Sequence, residues 1–351
     1  MKNFRSNVII KYCTFCTLCI AIGCESKMSP SITLDTNQLK MVEFQVIEKL
    51  ETLAKTTINE PRSEMNWAEY AMTLDIHDFK SKATIAYKQA AIIDPNDFRW
   101  PFFCAIIYHD IGDIESLQWY EKCLSIKSDY APAINMYGKA LDEFGDINSS
   151  KKVFYKALDI DPCSKMALNH LIKIHFREYN NHTADSLLQV VKNCGKTDRI
   201  FYGLMSELYR RKGDMSLSLV FTKEAHSLPK ENTITNPLYD QVISRGVSSG
   251  WYRYRAQRYI KNKLFKLAIK EYKELIRIHS ISEDYYNLAF SYEEIGDIQK
   301  AEQHYMMCIR SDPNFINAYK NLAGIYKTKG DNEKYLFYHN QFRKIGSKDD
   351  I

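Results

Sequence analysis

The residues best suited to chemistry are cysteines and histidines, but their spacing argues against a catalytic or metal site. Cys13, Cys16 and Cys19 form C-x-x-C-x-x-C, a spacing that binds soft metal ions when it lies in a folded region. Here it lies in an uncharged apolar run over residues 12–23, so we interpret the three as small apolar residues of a segment that is removed. None of the nine histidines lies in H-E-x-x-H or another ligand spacing. The sequence therefore predicts a protein that is not an enzyme, with no catalytic residues, no cofactor and no metal.

The first 24 residues, MKNFRSNVIIKYCTFCTLCIAIGC, have basic residues first, then an apolar run, then small residues, which is the layout of an export signal. The apolar run has 12 residues, fewer than the ~20 that a membrane-spanning helix needs. Its end, AIGC, resembles the bacterial lipobox, in which the cysteine is acylated and becomes the new N-terminus, although the family usually has Leu where Ala21 stands. We therefore predict a signal peptide over 1–23, lipidation of Cys24 and a polar tether over 24–35.

The predicted location is that of an exported, membrane-anchored lipoprotein facing the periplasm or the cell surface. A plain secreted protein, an uncleaved N-terminal anchor and a cytoplasmic protein with a misleading leader are the alternatives. The chain carries a formal charge of +5, and removal of the leader leaves 45 basic against 43 acidic residues. Nucleic-acid binding requires a clustered basic face, so we expect no nucleic-acid partner.

A phrase beginning with Gly-Asp recurs along the chain. Gly112 and Gly145 are 33 residues apart, Gly145 and Gly213 are 68, and Gly296 and Gly330 are 34. A period near 34 in helix–turn–helix sequence resembles the tetratricopeptide repeat family, and the resemblance covers most of the chain. It implies an all-α fold, a right-handed α-solenoid of about eight helical hairpins in two blocks.

Small residues recur where the two helices of each repeat must approach closely. The column in the first helices is Ala71, Ala105, Gly138, Ile172, Ser206, Ala256, Ala289 and Ala323. The column in the second helices is Ala83, Ser116, Ser150, Ala184, Ser218, Ala268, Ala301 and Tyr335. Seven of eight are small in each column, so we expect both columns to be buried between helices.

The repeats divide the chain into segments. We predict an N-terminal helix that caps the array over 36–62, five units over 63–232, an insertion or hinge over 233–248, and three units over 249–351. The units are expected to start near Glu64, Phe98, Ala131, Lys165, Arg199, Ser249, Ser282 and Ile316. Unit four lacks the turn glycine and has Asn180 and Asn181 there, which tolerate a left-handed backbone. Unit six is a weaker match, with Arg255 where an apolar residue is usual.

Five cysteines follow Cys24, and they are scattered and odd in number, so the sequence predicts no disulfide framework. Cys104, Cys123 and Cys308 fall where the repeat needs a small buried residue.

In tetratricopeptide proteins the first helices line a concave groove that holds a peptide or partner helix, and this resemblance marks groove positions here. Units three and four carry Asn135 with Lys139 and Asn169 with Lys173 at identical places. Such pairs can clamp a carboxylate or a peptide backbone, although the family's clamps have Lys and Asn in the opposite order. A solvated polar face is the alternative interpretation. The predicted groove residues are Asn135, Lys139, Asn169, Lys173, Phe176, Arg210, Arg253, Gln257, Phe290 and Lys320.

Two functions fit these patterns. One is a non-enzymatic scaffold of the bacterial cell envelope, held at a membrane through Cys24, that binds a protein partner in its groove. Resemblance to lipoproteins of this build favours a role in envelope assembly or secretion. The other is a surface lipoprotein that binds glycan or another small molecule on the aromatic clusters RWPFF (99–103) and WYRYR (251–255). Both clusters open first helices, where bulky residues pack on the preceding unit, so the sequence favours the scaffold.

Overall fold

The computed structural model describes residues 42–229 and 236–346, and the regular structure in these two ranges is entirely α-helical. The helices are α1 (Phe44–Asn59), α2 (Glu64–Ile76), α3 (Lys80–Ile93), α4 (Arg99–Asp110), α5 (Glu115–Ile126), α6 (Ala131–Glu143), α7 (Ile147–Ile160), α8 (Lys165–Arg177), α9 (Asn181–Asn193), α10 (Arg199–Arg211), α11 (Met215–Ser227), α12 (Tyr239–Ile243), α13 (Ser249–Lys261), α14 (Phe265–Ile278), α15 (Ser282–Glu294), α16 (Ile298–Ser311), α17 (Ile316–Lys329) and α18 (Asn332–Gly346).

Helices α2 to α11 pair into five hairpins, and α13 to α18 pair into three, with each hairpin packed on the next within its block. The eight first helices begin at, or within one residue of, the positions that the sequence indicated for the unit starts. The predicted all-α solenoid of eight repeats in two blocks is therefore confirmed. The predicted signal peptide (1–23), the lipidated Cys24 and the tether (24–35) lie outside the described residues.

The recurring Gly-Asp phrase makes the turn between the two helices of a hairpin. Gly145 has a φ of 92°, a left-handed conformation that costs glycine nothing. Asp146 follows as the N-cap of α7, and its carboxylate accepts the backbone N–H of Ser149 at 3.0 Å. At the other end, Asp161 caps α7 and accepts the N–H of Cys163 at 3.0 Å, and Pro162 prevents the helix from continuing. One phrase thus starts and stops the second helix of its unit.

The left-handed turn of unit four was predicted at Asn180 or Asn181, and that prediction is wrong by one residue. Tyr179 adopts the left-handed conformation, with a φ of 56°. Asn180 has a φ of −91° and is the N-cap of α9, where its side chain accepts the N–H of Thr183 at 3.1 Å. Asparagine can take either the left-handed turn position or the N-cap position. Asn180 lies directly before α9, where its side chain can make the N-cap hydrogen bond, so the left-handed residue is the one before it.

The two columns of small residues lie between helices, as the sequence predicted. Of the 16 positions, 14 are buried, and Ser206 and Tyr335 are half-buried. Gly138 shows why the column is small, because a Cβ atom there would lie 2.9 Å from the Phe154 ring. The hydroxyl of Ser150 in the facing helix donates to the Gly138 carbonyl at 2.8 Å. The side chains of α7 therefore pack directly against the α6 backbone at Gly138.

The expectation of no disulfide is wrong. Cys163, in the turn before α8, is bonded to Cys194 at the end of α9, with 5.8 Å between the Cα atoms. The pair brackets hairpin four, which lacks the turn glycine. Cys104, Cys123 and Cys308 are buried in the packing columns as predicted. Once these three are assigned to the core, the odd count no longer argues against a pair.

The N-terminal helix α1 packs on α2. It begins at Phe44, whereas the sequence placed a helix over the whole of 36–62; residues 36–41 lie outside the described ranges and 60–63 form a turn. Helix α1 leaves its N-cap residue Glu43 without a side-chain cap hydrogen bond, because that carboxylate is bonded elsewhere in the chain.

Residues 236–248, which we call the return segment, carry the chain from the end of the first block back across its first three units. Asn236 accepts the hydroxyl of Tyr130 in unit three at 3.0 Å. The segment then contacts units two and one, and unit six begins there, where the indole N–H of Trp251 donates to the carbonyl of Ile76 at 2.9 Å. The inserted stretch is thus packed along the first block over its described residues.

Candidate functional site

The predicted Asn–Lys pairs lie three residues before and one residue after the small-residue site of their helix. We call these two positions, on every first helix, the groove register. From unit one to unit eight the pairs are Ala68 and Met72, Phe102 and Ile106, Asn135 and Lys139, Asn169 and Lys173, Gly203 and Glu207, Arg253 and Gln257, Tyr286 and Phe290, and Lys320 and Gly324. The register is apolar in units one and two and mostly polar in units three to five.

The apolar part of the groove register is covered by the rest of the molecule. Ala68 and Phe102 are 0% exposed and Met72 is 2% exposed. Nine of the 13 residues of α2 are buried, so this helix is enclosed on all sides. Helix α12 of the return segment packs on α2, and Val242 within it is fully buried. The groove at units one and two is therefore closed.

Polar contacts fix the path of the return segment. Gln241 accepts from Arg99 of unit two at 3.5 Å, and Arg245 donates to the carboxylate of Glu69 in unit one at 2.6 Å. The backbone N–H of Val247 donates to Nε2 of His77 at 3.1 Å. Burial lowers the pKa of His77 to about 4, so the ring stays neutral and can accept this bond.

Arg255, which made unit six look like a weak repeat, holds the return segment against the second block. Its guanidinium is buried and donates to the Gly246 carbonyl at 2.6 Å and the Ile243 carbonyl at 3.1 Å. Two further bonds, at 2.7 and 2.9 Å, go to the carboxylate of Glu271 in α14. A buried charge needs such complete pairing, and an apolar residue at this position would leave both carbonyls unpaired.

Except for the buried Asn169, the groove register of units three to five is partly or fully exposed. Lys173 is exposed, with no carboxylate within ion-pair distance among the described residues. Lys139 is half-buried and lies 3.4 Å from Glu143 in the same helix. Asn135 accepts the hydroxyl of Ser164 at 3.4 Å, which directs its amide across to the next unit. Burial and the neighbouring Lys173 lower the pKa of His170 to about 4, so a neutral imidazole lies beside the exposed ammonium.

Two predicted groove residues of unit four are not on the accessible surface. Phe176 is 4% exposed and belongs to the core between units four and five. The guanidinium of Arg211 lies 5.0 Å from its ring and donates to its carbonyl at 2.7 Å. Asn169 is 7% exposed. The packing of unit five accounts for the burial of Phe176, which shares a core with Leu204 and Leu208.

The other predicted groove residues differ in how much of their polar capacity is already used. Arg210 is exposed but chelates Glu207 through two bonds at 2.7 and 2.8 Å. Arg253 is committed to the fully buried Asp284 through two bonds at 2.8 Å, an ion pair that the sequence did not reveal. Gln257 and Lys320 are exposed, and Phe290 packs edge-on against Phe265 at 5.9 Å.

The aromatic clusters proposed as a sugar platform are packing residues. Trp100, Phe102 and Phe103 are at most 1% exposed. Trp251 is half-buried against Gly246, where an added Cβ would lie 2.4 Å from the indole. Of the residues in the two clusters, Tyr254 is exposed at 46%. The first cluster thus offers no open ring face for sugar stacking, and the second offers a single exposed ring.

The residues 246–250, GVSSG, have the spacing of a hydrolase nucleophile motif, which the sequence reasoning overlooked. The structure gives Ser248 a different role, because its hydroxyl accepts the N–H of Trp251 at 3.4 Å and caps α13. The nearby His77 uses Nε2 to accept a backbone N–H, so it is not arranged as a base for this serine.

Within the described residues, no group of three or more His, Cys, Asp or Glu side chains is arranged to hold a metal ion. None of the helices in the described ranges is long and apolar enough to cross a membrane.

Two of the hairpins match the model of a known repeat family. The tetratricopeptide repeat model matches residues 131–162 and 285–315, which correspond to hairpins three and seven. No curated protein matches the chain in sequence. Among solved structures, a tetratricopeptide repeat protein from Parabacteroides merdae ATCC 43184 is 14% identical over 70% of this chain and 92% of its own, with a TM-score of 0.46. MamA is 16% identical over 47% and 90%, with a TM-score of 0.43. YrrB, a repeat protein with an unusual peptide-binding site, is 12% identical over 57% and 96%, with a TM-score of 0.29.

Proposed function

The units of this chain are tetratricopeptide repeats, and we propose that it is a scaffold of the bacterial cell envelope that holds a peptide or helix of a partner protein along units three to five. Repeats of this family bind protein partners and are generally non-catalytic. The observation that supports the proposed location on the chain is the contrast within the groove register. Units one and two are covered by the chain itself, whereas Asn135, Lys139 and Lys173 are accessible in units three and four.

The chemistry of the accessible register favours an acidic or main-chain ligand. Asn135 can both donate to and accept from a peptide backbone, and Lys173 offers an ammonium with no carboxylate beside it in the described part of the chain. Lys139 shares Glu143 with His109, whose Nε2 lies 2.6 Å from that carboxylate, so a ligand carboxylate would compete for a lysine that is only partly committed. Because burial lowers the pKa of His170 to about 4, the imidazole next to Lys173 is uncharged at neutral pH.

The disulfide supports the envelope location. Disulfides persist in secreted and periplasmic proteins and are rare in the cytosol, where thiols are kept reduced. The Cys163–Cys194 bond is thus consistent with the export signal expected at residues 1–23 and the acylated Cys24. We further propose a role in envelope assembly or secretion, for which the resemblance to lipoproteins of this build is the support.

Crosslinked pull-down from intact cells tests the groove. We expect a Lys139→Glu/Lys173→Glu variant to lose the partners that the wild type captures, because two reversed charges repel an acidic or carboxylate-bearing ligand. The matched control is Lys156→Glu/Lys223→Glu, which changes the same charge on exposed second-helix positions of units three and five. Partners that survive the groove variant, or are lost equally in the control, would refute the assignment.

Two measurements test the location separately from the groove. Globomycin blocks processing of lipoprotein signals, so a precursor that retains residues 1–23 should accumulate on treatment. Thiol labelling of intact cells should leave Cys163 and Cys194 unmodified unless a reductant is added first. Normal processing with globomycin, or free thiols at both positions, would contradict an envelope lipoprotein.

A further inference from the structure

The second helix of unit six carries a row of cations along one exposed side. Lys266, Lys270, Lys273 and Arg277 are spaced four, three and four residues apart, and Lys263 precedes them in the turn. All five are exposed. At 100° per residue the four helical cations fall within an arc of about 60°, and they extend roughly 16 Å along the helix axis. This arrangement is a straight basic line, which we call the basic row.

The basic row points away from the core of its own block. Ala268, Tyr272 and Leu275 of α14 are fully buried on the opposite side of the helix. The groove register belongs to the first helices, so the row does not line the groove. One leucine near the row, Leu267, is exposed at 44%. The face therefore presents charge with an apolar side chain at one edge.

The charges of the row are largely uncompensated. Arg277 pairs with Glu274 at 2.8 Å. The other carboxylate of the helix, Glu271, is turned inward to the buried Arg255. None of the four lysines has a carboxylate within ion-pair distance in the part of the chain that the structure describes; Lys273 lies 5.9 Å from the ring of Tyr292. Like charges held this close raise the energy of the helix unless a negative partner approaches.

Among the second helices of the described repeats, this concentration occurs in α14. Helix α14 carries four cations, all on one side, whereas no other second helix in the described ranges carries more than three. Helix α7, with Lys151, Lys152 and Lys156, has one of its three committed to Glu178. The row thus stands out from the ordinary solvated faces of the same repeat architecture.

We propose that the basic row docks on an anionic phospholipid surface. A straight line of lysines on an outward face matches a planar array of negative headgroups, and the exposed Leu267 at its edge can enter the boundary between headgroups and acyl chains. A peptide ligand would instead need a groove or an open sheet edge, and the row lies on the side of α14 that does not line the groove.

The first residues that the structure describes contact the same unit. The carboxylate of Glu43 accepts the N–H of Ser249, the first residue of α13, at 2.9 Å and its hydroxyl at 2.7 Å. Only 19 residues separate Cys24 from Glu43, a span of at most about 65 Å when fully extended. This step depends on the proposed acylation, while the basic row stands without it. An acyl chain and a weakly basic face together give more stable attachment than either alone.

Vesicle sedimentation tests the row apart from the anchor and the groove. The full chain carrying Cys24→Ser, which cannot be acylated, is mixed with vesicles of phosphatidylcholine alone or with added phosphatidylglycerol. We expect binding to the anionic vesicles that weakens as salt is raised. Each lysine near an anionic surface contributes about a fivefold factor, so Lys266→Glu/Lys270→Glu/Lys273→Glu should reduce partitioning on the order of a hundredfold.

The control variant is Lys156→Glu/Lys192→Glu/Lys223→Glu, with the same charge change on exposed second-helix positions of units three to five. It should keep anionic binding, and circular dichroism should show both variants folded because all six positions are exposed. Equal loss in both variants, absence of anionic binding, or equal binding to the two kinds of vesicle would each overturn the proposal. Failure of the groove pull-down would leave these results unaffected.

Discussion

The groove register has different surroundings in units one and two than in units three to five, although the repeat is the same. Met72 and Lys139 occupy equivalent positions one residue after the small-residue site, and one is 2% exposed while the other is half-buried beside open space. In units one and two, the return segment and the start of the second block cover the groove register. In units three to five, no part of the described chain packs over Lys139 or Lys173. The same repeat can thus present either a core or an accessible surface, and the side chains at the register distinguish the two.

The largest effect expected from this difference is on stability when the register residues are exchanged. Met72→Lys should lower the free energy of unfolding by about 3 kcal/mol or more, because the site is 2% exposed and would take the ammonium out of water. Lys139→Met should change it by less than about 0.5 kcal/mol, since the side chain faces solvent. Urea unfolding of both variants measures the comparison. Similar losses for the two would show that the register is not divided into closed and open parts.

The disulfide is a covalent constraint on unit four, in the part of the first block where the groove register is accessible. Removing it by Cys163→Ser/Cys194→Ser should cost roughly 3 kcal/mol, as expected for a closed loop of 31 residues. Hydrogen exchange should place the lost protection in units four and five, while α2 in unit one stays protected. Reduction of the wild type should reproduce the change. Loss of protection spread evenly over both blocks would contradict this local role.

A pair of glycine substitutions distinguishes the closed and open surfaces on a smaller scale. A Cβ at Gly246 would lie 2.4 Å from the Trp251 indole, so Gly246→Ala should cost roughly 1–3 kcal/mol by displacing the return segment. Gly203 lies in the register of unit five with nothing within 4 Å of an added Cβ. Gly203→Ala should therefore stabilise its helix by about 0.5–1 kcal/mol. Thermal unfolding of the two variants should shift in opposite directions, and shifts of the same sign would rule out the contrast.

The last expected effect is a pH dependence at the return segment. His77 is held neutral in the folded protein, and its ordinary pKa of 6.5 falls to about 4 through burial, opposed by Glu43 and reinforced by Arg255. Below about pH 6.5 the unfolded chain binds a proton that the folded chain rejects, so stability should fall from there toward pH 4 and level off below it. His77→Gln, which keeps an acceptor for Val247, should flatten that slope.

His170 provides the counterpart in the open half, since burial also lowers its pKa to about 4. His170→Gln should remove its own share of the slope, but only His77→Gln should stop the return segment from losing hydrogen-exchange protection as the pH falls. If acidification leaves that protection unchanged in the wild type, the hydrogen bond from Val247 to His77 does not hold the segment.

Much of the fold was predictable because the repeat constrains local sequence. The turn glycines, the Asp caps and the small-residue columns each have one structural solution, and Gly145, Asp146 and Gly138 show it. The disulfide was missed because cysteine parity was judged before the buried cysteines were set aside. The left-handed Tyr179 was missed because asparagine fits both the turn and the cap, and only the hydrogen bond to Thr183 decides between them.

The site was less predictable because register identifies which way a side chain faces but not what covers it. Asn169 satisfies the register and is 7% exposed, and Phe176 is buried in the core between units four and five. Arg253 has its charge neutralised by Asp284 from the next unit. The signal that could have revealed the closed groove was present in Ala68, Met72 and Phe102, because apolar residues at these positions require a cover. The basic row was missed because a near-neutral total charge conceals four cations on one helix.

Site-specific photo-crosslinking in intact cells tests the central claim most directly. A diazirine side chain is placed at the same register position in a closed and in an open unit, at residue 72 in place of Met72 and at residue 173 in place of Lys173. We predict crosslinks to another protein from position 173 and only internal crosslinks from position 72. Crosslinks to a partner from position 72, or none from position 173, would contradict a groove that is filled by its own chain at one end and free for a partner beyond it.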